Sequence, residues 1–421
     1  MYDYAIIGGG IAGLATAEIF SRSGFKVILL EKNSKICSES SGTHHEWFHF
    51  GSLYTLFQNK NFLKILVGGI DDLLLYYRDF LNMNIKVNTK GKLLIESKRT
   101  SWFKSNNFKY LFQNNFYKKT NQKNYKKFSE IHSNFKNYDW RRGESSKYIL
   151  NLKKNNKKKI NKKKIIKVNN KSFLAIDSFD CPMDSTLIIR DLLSNFINYG
   201  GKLKTRFNVK KLVEKKGYQI LNDNNRNKIK AKNIIFANGS GINSFLKKDI
   251  VKSYISPLMI TYPQVFNKNY IHMTDNKNDA INHVTHNKNN KKYSIIGGGS
   301  YIDLGSSKKL VNKLSNNLFK LAEKTFGSLQ KKKNHIYFGV KNEVIKNKKR
   351  NYIYTIKKIN KKVYYINPGK FSLSFSLAIN TFKKVIGHYP NPTTFHQKIN
   401  KGLNKYIKGN YHKNYISKNF S

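Results

Sequence analysis

The first twenty residues, MYDYAIIGGGIAGLATAEIF, place a run of glycines between an apolar segment and an alanine-rich segment. Residues 2–7 are predicted to form a short buried strand, and the residues after Gly13 a helix that ends near Gly24. Gly8, Gly10 and Gly13 have the spacing G-x-G-x-x-G, which allows a tight turn, close approach of a pyrophosphate and packing of helix on strand. The sequence therefore predicts a dinucleotide-binding βαβ unit.

A carboxylate follows at the position that such a unit requires. The segment KVILLEK is predicted to be the second strand, and Glu31 lies in it roughly 20 residues beyond the glycines. A carboxylate there binds the adenosine ribose hydroxyls and repels a 2′-phosphate, and Lys32 beside it is a further candidate for cofactor contact. The fingerprint alone does not separate FAD from NAD, and an ordinary βαβ turn is the alternative interpretation.

The next segment, NSKICSESSGTHHEWFHFGSLYTLF, resembles the FAD-dependent oxidoreductases of the D-amino-acid oxidase, sarcosine oxidase and glycerol-3-phosphate dehydrogenase superfamily. In those families a Ser/Gly-rich loop follows the ribose-binding acid, and a His-x-Gly segment runs past the flavin. The residues that match this pattern are Ser40, Ser41, Gly42, His49, Gly51 and Tyr54. The resemblance implies that the cofactor is FAD and that Ser41 and Gly51 contact it.

Three later segments fit the same resemblance. It implies that TRFNVKKLVEKKGYQI contributes a strand through Val209 that passes the adenine, and that AKNIIFANGSGINSFL ends in a second glycine turn at Gly239. In KVYYINPGKFSLSFSLAINTF it implies a turn over the flavin ring, with Gly369, Phe371 and Ser372 as cofactor contacts. The helix after this turn would direct its N-terminus at the negative charge of reduced flavin. An ordinary strand-to-helix turn is the alternative for Gly239.

The order of these motifs predicts an α/β fold with two interleaved domains. We expect residues 1–90, 170–250 and 360–410 to form a Rossmann-like FAD-binding domain of the glutathione-reductase type. Residues 90–170 and 250–360 would form an α+β substrate domain built on an antiparallel sheet. At 421 residues the chain is long enough for two substantial cores.

A second glycine run, in YSIIGGGSYIDLG, does not predict a second nucleotide site. Ile302 stands where the third glycine would be, and no helix follows at once. The segment is therefore predicted to be a strand and turn of the substrate domain. The next helix begins near Ser307, and its inward-facing side chains are predicted to be Leu310, Leu314, Leu318 and Leu321.

The catalytic candidates come from residue chemistry near the expected flavin. His49 is a candidate general base or, by resemblance, a covalent flavin attachment point, and a histidine packed among aromatic side chains is the alternative. Lys370 is a candidate for polarising the flavin. Arg141 and Arg142 are candidates for binding a substrate carboxylate, with surface loop residues as the alternative.

The charge of the chain would ordinarily suggest a polyanion partner. The net charge is +55, but only 9 of the 79 basic residues are arginine, the residue best suited to bidentate phosphate and base contacts. We interpret the lysines mainly as solvated surface, so a nucleic-acid partner is not expected. No apolar stretch predicts a membrane span, which leaves peripheral membrane contact open.

The sequence as a whole predicts a flavin oxidoreductase that takes a hydride from a C–H bond beside an amine or hydroxyl of a small anionic substrate. An RNA-associated flavoenzyme and a non-catalytic FAD-binding protein are the alternatives, and the electron acceptor, oxygen or a quinone, is left open. Cys37 and Cys181 have no metal or redox spacing, and no metal site is assigned. With no recognisable signal peptide, a cytoplasmic location is expected.

Overall fold

A computed structural model describes most of the chain. The residues it describes are 1–49, 65, 69, 72–73, 75–77, 80, 83–87, 93–97, 102–104, 107–113, 164–177, 180–274, 279–327, 329–346, 349–350, 353–392 and 400–420. Within this part the chain forms two compact units, each assembled from three segments. Unit 1 comprises residues 1–43, 185–253 and 341–410, and unit 2 comprises residues 44–184, 254–340 and 411–421.

Unit 1 contains both strands and helices, whereas unit 2 is mostly strand. The strands are β1 (Tyr2–Ile7), β2 (Val27–Leu30), β3 (Trp47–Phe48), β4 (Met83–Val87), β5 (Leu93–Ser97), β6 (Phe108–Gln113), β7 (Lys164–Val168), β8 (Lys171–Asp177), β9 (Cys181–Pro182), β10 (Lys202–Lys204), β11 (Lys211–Lys215), β12 (Tyr218–Asn222), β13 (Lys228–Phe236), β14 (Val251–Tyr262), β15 (Asn269–Met273), β16 (Ile281–Lys288), β17 (Lys291–Gly298), β18 (Ile302–Asp303), β19 (Lys333–Lys346), β20 (Lys349–Arg350), β21 (Thr355–Lys358) and β22 (Val363–Asn367). The α-helices described are α1 (Ile11–Arg22), α2 (Ser185–Asn198), α3 (Ile242–Leu246), α4 (Lys308–Phe326), α5 (Ser374–Ile386) and α6 (Tyr411–Asn419).

Unit 1 is built on a mixed sheet with the strand order β10-β2-β1-β13-β12-β11. The strands β10, β2, β1 and β13 are parallel, whereas β12 and β11 are antiparallel to their neighbours. β13 shares one of its edges between two partners, because its first residues pair with β12 and its last residues pair with β22. The apolar residues of β1, β2 and β13 form the core expected for buried parallel strands.

Helix α1 is buried along its whole length because it packs against helices rather than facing water. The ring of Phe20 lies 5.1 Å from that of Phe382 in α5, and Ser21 Oγ donates to the carbonyl oxygen of Tyr199, just after α2. This burial explains why the helix is rich in alanine and carries little charge. The helix ends at Arg22, and the turn after it contains Gly24, whose φ of 92° is strained for other residues.

Unit 2 contains a sheet with the order β19-β14-β17-β16-β15-β6-β8-β7. The pairs recorded between β14 and β7 are antiparallel, except that β15 and β6 are parallel. Leu318 and Phe326 of α4 pack with Phe173 and Ile296 in its core. The predicted fold class, an α/β fold with a Rossmann-like domain interleaved with an α+β domain, is thereby confirmed. The glycine run at 297–299 lies at a strand end and turn of unit 2, as predicted.

The boundaries of the two units differ from those predicted at 90, 170, 250 and 360. The first segment of unit 1 ends at Thr43, because Trp47 and Phe48 in β3 pair with Pro182 and Cys181 in β9 of unit 2. Its last segment begins at residue 341, where the chain already packs in the core of unit 1. The C-terminal helix α6, which had no predicted place, belongs to unit 2.

Two local predictions are also corrected. Val209 does not lie in a strand, since β10 ends at Lys204, Arg206 has a positive φ of 56°, and β11 begins only at Lys211. The side chain of Val209 is buried in the core of unit 1. Leu310 does not face inward but is 48% exposed, because it lies in the first turn of α4. Among the described residues, no helix has the length and apolar character needed to cross a membrane.

Candidate functional site

The candidate site lies where four parallel strands of unit 1 end. Ile7 of β1 is opposite Leu30 of β2 on one side and Phe236 of β13 on the other. Phe236 is in turn opposite Tyr365 of β22. Because the strands are parallel and in register, the residues that follow them emerge at one edge of the sheet, which is where open α/β sheets bind ligands. Gly8, Glu31, Gly239 and Gly369 all emerge at this edge.

The first turn at this edge is closed so tightly that only glycine fits at two positions. Gly8 has a φ of 110°, and a Cβ atom there would lie 2.7 Å from the carbonyl oxygen of Ala237. A Cβ atom on Gly13 would collide with the carbonyl oxygen of Gly8. At Gly10, by contrast, the nearest atom to an added Cβ is Ser41 Oγ at 3.4 Å, so the space beside this backbone is open. These are the roles that the glycine spacing predicts.

Glu31 is buried beside this turn and holds it in place. Its Oε2 accepts a hydrogen bond from the backbone of Gly9 at 2.8 Å, and its Oε1 accepts from the backbone and side-chain nitrogens of Asn33. Burial raises the pKa of Glu31, and the hydrogen bonds from Asn33 and Gly9 oppose the rise by stabilising the ionised form. A carboxylate has about four acceptor positions, so these donors leave room for a ribose hydroxyl.

A loop from residue 36 to residue 42 covers the N-terminus of α1. Ser41 Oγ accepts a hydrogen bond of 3.0 Å from the backbone nitrogen of Ile11, the first residue of the helix. Ser40 Oγ accepts from Asn342 Nδ2 at 2.9 Å, and a Cβ atom on Gly239 would lie 2.8 Å from the same nitrogen. Asn342 therefore ties the serine loop to the turn after β13. Sequence reasoning missed it, because a lone asparagine in a lysine-rich strand gives no signal.

The turn after β22 presents hydroxyl groups at the N-terminus of α5. Gly369 has a φ of 64°, and its backbone nitrogen donates to Asn367 Oδ1 at 2.9 Å. Ser372 and Ser374 are buried, and neither hydroxyl has a hydrogen-bond partner within the part of the chain that the structure describes. Buried polar groups are almost always hydrogen-bonded, so two such hydroxyls at a helix N-terminus are consistent with a ligand that accepts their hydrogen bonds.

These features together fit FAD. The open backbone at Gly10 accommodates a pyrophosphate, Glu31 keeps an acceptor for the ribose, and the hydroxyls of Ser372 and Ser374 lack protein partners. In addition, Asn238 Oδ1, at the turn after β13, is buried without a partner among the described residues. An extended cofactor that runs along this edge of the sheet would satisfy these groups.

His49, the candidate base, lies in unit 2 among aromatic residues, as the packing alternative expected. Its ring centre is 4.0 Å from that of Trp47, and its Nδ1 lies 3.8 Å from Asp180 Oδ2. Asp180 is fully buried and accepts hydrogen bonds from Trp47 Nε1 at 3.2 Å and from the hydroxyl of Tyr110 at 2.8 Å. The carboxylate of Asp180 therefore lies beside an imidazole that is still partly accessible, with 14% of its side chain exposed.

The other predicted residues are more scattered. Lys32 is exposed and forms an ion pair with Glu39. Lys370 directly follows Gly369, and Phe371 begins a short 3-10 turn before α5. Gly51, Arg141 and Arg142 lie outside the described residues.

Comparison with known protein families gives a match over the first quarter of the chain. Residues 3–115 match the sequence profile of the DAO family, described as FAD dependent oxidoreductase. The curated relatives include the L-2-hydroxyglutarate dehydrogenases of Caenorhabditis briggsae, 34% identical over 96 residues, and Nematostella vectensis, 36% identical over 96 residues. Each match covers 22% of this chain, and it spans only about a fifth of the length of those relatives.

Solved structures extend the likeness to nearly the whole chain. Glycine oxidase from Geobacillus kaustophilus has a TM-score of 0.64 at 10% identity and covers 96% of this chain and 98% of its own. L-alpha-glycerophosphate oxidase from Mycoplasma pneumoniae, solved with FAD bound, has a TM-score of 0.64 at 14% identity, with 95% and 97% covered. At these identities the likeness shows the fold alone.

Proposed function

We propose that this chain is an FAD-dependent oxidoreductase of the DAO family and that it oxidises a small anionic substrate, because residues 3–115 match the profile of that family and the fold resembles those of glycine oxidase and L-alpha-glycerophosphate oxidase. The bond broken is a C–H bond next to a hydroxyl or an amine. FAD, when bound, supplies the chemistry by accepting the hydride, and the protein supplies binding, orientation and electrostatics. The observation that carries the proposal is the shared edge of β2, β1, β13 and β22, where the glycine turns and the buried carboxylate meet.

Cofactor binding is assigned to residues of unit 1. The turn at Gly8, Gly10 and Gly13 would hold the pyrophosphate at the N-terminus of α1, and Glu31 would bind the adenosine ribose. Ser41 supports this turn because its hydroxyl accepts a hydrogen bond from the backbone nitrogen of Ile11. The turn after β22 would bind the flavin end through the following residues: Gly369, Phe371 and Ser372.

We assign His49 as the general base that accepts the proton from the substrate hydroxyl or amine. The buried carboxylate of Asp180 near its Nδ1 favours an imidazole that can accept a proton and hold it as the cation. Covalent attachment of the cofactor at His49 is the alternative role. Lys370 would place a positive charge near the flavin, and Arg141 and Arg142 would bind the anionic group of the substrate.

Hydroxy acids are the first substrate class to test. The relatives that match this chain in sequence are named L-2-hydroxyglutarate dehydrogenase, whereas the amino acid oxidases match it in fold only. A 2-hydroxy dicarboxylate also matches the proposal of an anionic substrate with a hydroxyl beside the reacting C–H bond.

The test mixes the purified protein with candidate electron donors under anaerobic conditions and monitors the visible absorption spectrum. We expect a flavin spectrum that bleaches with 2-hydroxy acids, amino acids or glycerol phosphate, and the donor that bleaches it defines the substrate class. Flavin that stays in the pellet after acid precipitation would show covalent attachment, and His49 is then the first residue to substitute. Bound flavin that no donor bleaches would instead support the non-catalytic alternative. A protein that cannot be reconstituted with FAD would refute the proposal.

A further inference from the structure

Unit 2 contains a buried cluster of ionisable side chains that the proposed function does not use. Glu46 precedes β3, His286 lies in β16, and His412 and Lys413 lie in α6. The side chains of Glu46, His286 and His412 are completely buried. They come from three segments far apart in sequence, so packing of the sheet against the C-terminal helix brings them together.

We propose that Glu46, His286 and His412 form a binding site for one divalent transition-metal ion of the zinc class. Glu46 Oε2 lies 3.7 Å from His286 Nδ1 and 3.5 Å from His412 Nε2, and the three ligand atoms are all within 4.8 Å of one another. Charge-assisted hydrogen bonds are shorter, at about 2.7–2.9 Å. Two ligands of a tetrahedral zinc ion, each bonded at roughly 2.1 Å, lie about 3.4 Å apart, so the two separations from Glu46 Oε2 match coordination better than direct hydrogen bonding.

His286 presents a lone pair rather than a proton to this point. His286 Nε2 lies 3.3 Å from the carbonyl oxygen of His45, which can only accept, so Nε2 carries the proton and Nδ1 is left as a bare nitrogen. Within the described residues, His286 Nδ1 and His412 Nε2 have no hydrogen-bond partner.

The surroundings supply the outer contacts that metal ligands require. His412 Nδ1 is 2.8 Å from the hydroxyl of Tyr293, and His286 bonds to a backbone carbonyl, the usual partners that orient a ligating imidazole. Lys413 Nζ bonds to Glu46 Oε1 at 2.9 Å and to Asp184 Oδ1 at 2.7 Å, whereas Oε2 of Glu46 is the oxygen nearer to the two histidines.

The site has three protein ligands and therefore a fourth position for water. Because the ligands join β16, the segment before β3 and the C-terminal helix, a bound ion would stabilise unit 2 in addition to any chemical role. Sequence reasoning missed the site because His286 and His412 are isolated in sequence and show no ligand spacing. The only local signal is the HHE run at residues 44–46.

The experiment measures metal content in the full-length, tag-free protein. The protein is stripped with a chelator, re-equilibrated with Zn²⁺ or Co²⁺ and freed of unbound ion, and metal per chain is determined by elemental analysis. We expect one ion per chain, a Co²⁺ spectrum typical of four-coordination, and a higher unfolding temperature with Zn²⁺. His412→Gln should abolish all three effects, whereas His388→Gln, at an exposed histidine, should leave them unchanged.

Tyr293→Phe is a second variant that keeps all three ligands and removes only an outer contact. It should weaken metal affinity by roughly 10–100-fold. If His412→Gln does not fold, the metal affinity of Tyr293→Phe tests the proposal in its place. The proposal is overturned if the wild-type protein binds no ion at stoichiometric level, or if both His412→Gln and Tyr293→Phe bind it as tightly as the wild type.

Discussion

The carboxylate of Glu31 accepts a hydrogen bond of 2.8 Å from the backbone nitrogen of Gly9, although 22 positions separate the two residues. The residue expected to bind the ribose thus also fixes the conformation of the turn expected to bind the pyrophosphate. Loss of this carboxylate therefore has two effects, one on the cofactor and one on the turn itself.

Glu31→Gln should weaken FAD binding by about 10–100-fold, since hydrogen bonds to a charged group contribute roughly 1.5–3 kcal/mol. The amide also places a donor against either Gly9 or Asn33, whose nitrogens are donors as well. Titration of the flavin-free protein with FAD, followed by flavin fluorescence, measures the effect. Glu39→Gln is the matched control, because Glu39 is exposed and its carboxylate forms an ion pair with the surface residue Lys32. Equal affinities of the two variants would contradict the role of Glu31.

Gly13→Ala should displace α1 from the glycine turn, because the added methyl group collides with the carbonyl oxygen of Gly8. Overpacking of this kind costs about 1–3 kcal/mol, and FAD content should fall with it. Flavin content after purification and the free energy of unfolding by urea are the two measurements. Gly305→Ala is the control, since no atom lies within 4 Å of a Cβ added there. If Gly13→Ala retains wild-type flavin content, the tight packing described at this turn is not required for binding.

Ser294→Ala should destabilise unit 2 by leaving two buried groups without partners. Ser294 Oγ accepts from the backbone nitrogen of Val265 at 2.8 Å and lies 2.7 Å from His283 Nε2. Each orphaned group costs about 1–3 kcal/mol, which urea unfolding would detect. Ser315→Ala, which removes a hydroxyl bonded within α4, should change stability by less than about 0.5 kcal/mol. Similar losses of stability in both variants would contradict the role of the hydrogen bonds that Ser294 forms with Val265 and His283.

Stability should fall on acidification because two buried histidines cannot be protonated in the folded protein. Burial lowers the pKa of His272 and of His283 to about 4, from 6.5 in the unfolded chain. Between these values the unfolded state binds more protons, so stability is fully present above pH 6.5 and is lost as the pH falls towards 4. The slope is about 1.4 kcal/mol per pH unit for each histidine.

Urea unfolding at several pH values across this window measures that slope. His283→Gln should reduce the slope by the contribution of one histidine, about 1.4 kcal/mol per pH unit. A slope that is unchanged in the variant would show that His283 does not carry the effect.

The cofactor edge of unit 1 was largely predictable because its signals are local. The glycine spacing, the strand that leads to Glu31 and the glycine turn after β22 each depend on residues adjacent in sequence, and each has the expected conformation. Val209 was placed in a strand wrongly because its segment has strand-like composition, whereas backbone bonds such as that from Phe207 to Glu31 determine its path. The domain boundaries depend on pairing between β3 and β9, which no local pattern reveals.

The helix α4 shows the limit of periodicity. Leu310, Leu314 and Leu318 share one helical face by spacing, yet Leu314 and Leu318 are buried and Leu310 is 48% exposed. The spacing gives the direction of a side chain but not how far the neighbouring sheet extends beneath the helix. The cluster of Glu46, His286 and His412 escaped prediction for the same reason, since only the packed sheet and α6 bring its members together.

The shared edge of β13 also determines the order in which the glycine turn acquires its neighbours. Ala231 is the partner of both Tyr2 and Gln219, and only three positions later Ile234 pairs with Val363. During synthesis β1 has no partner on this side until residues 228–236 have left the ribosome, and contacts so distant in sequence slow folding. The glycine turn is therefore synthesised long before β13, the strand that supports it, and β22 is added later still.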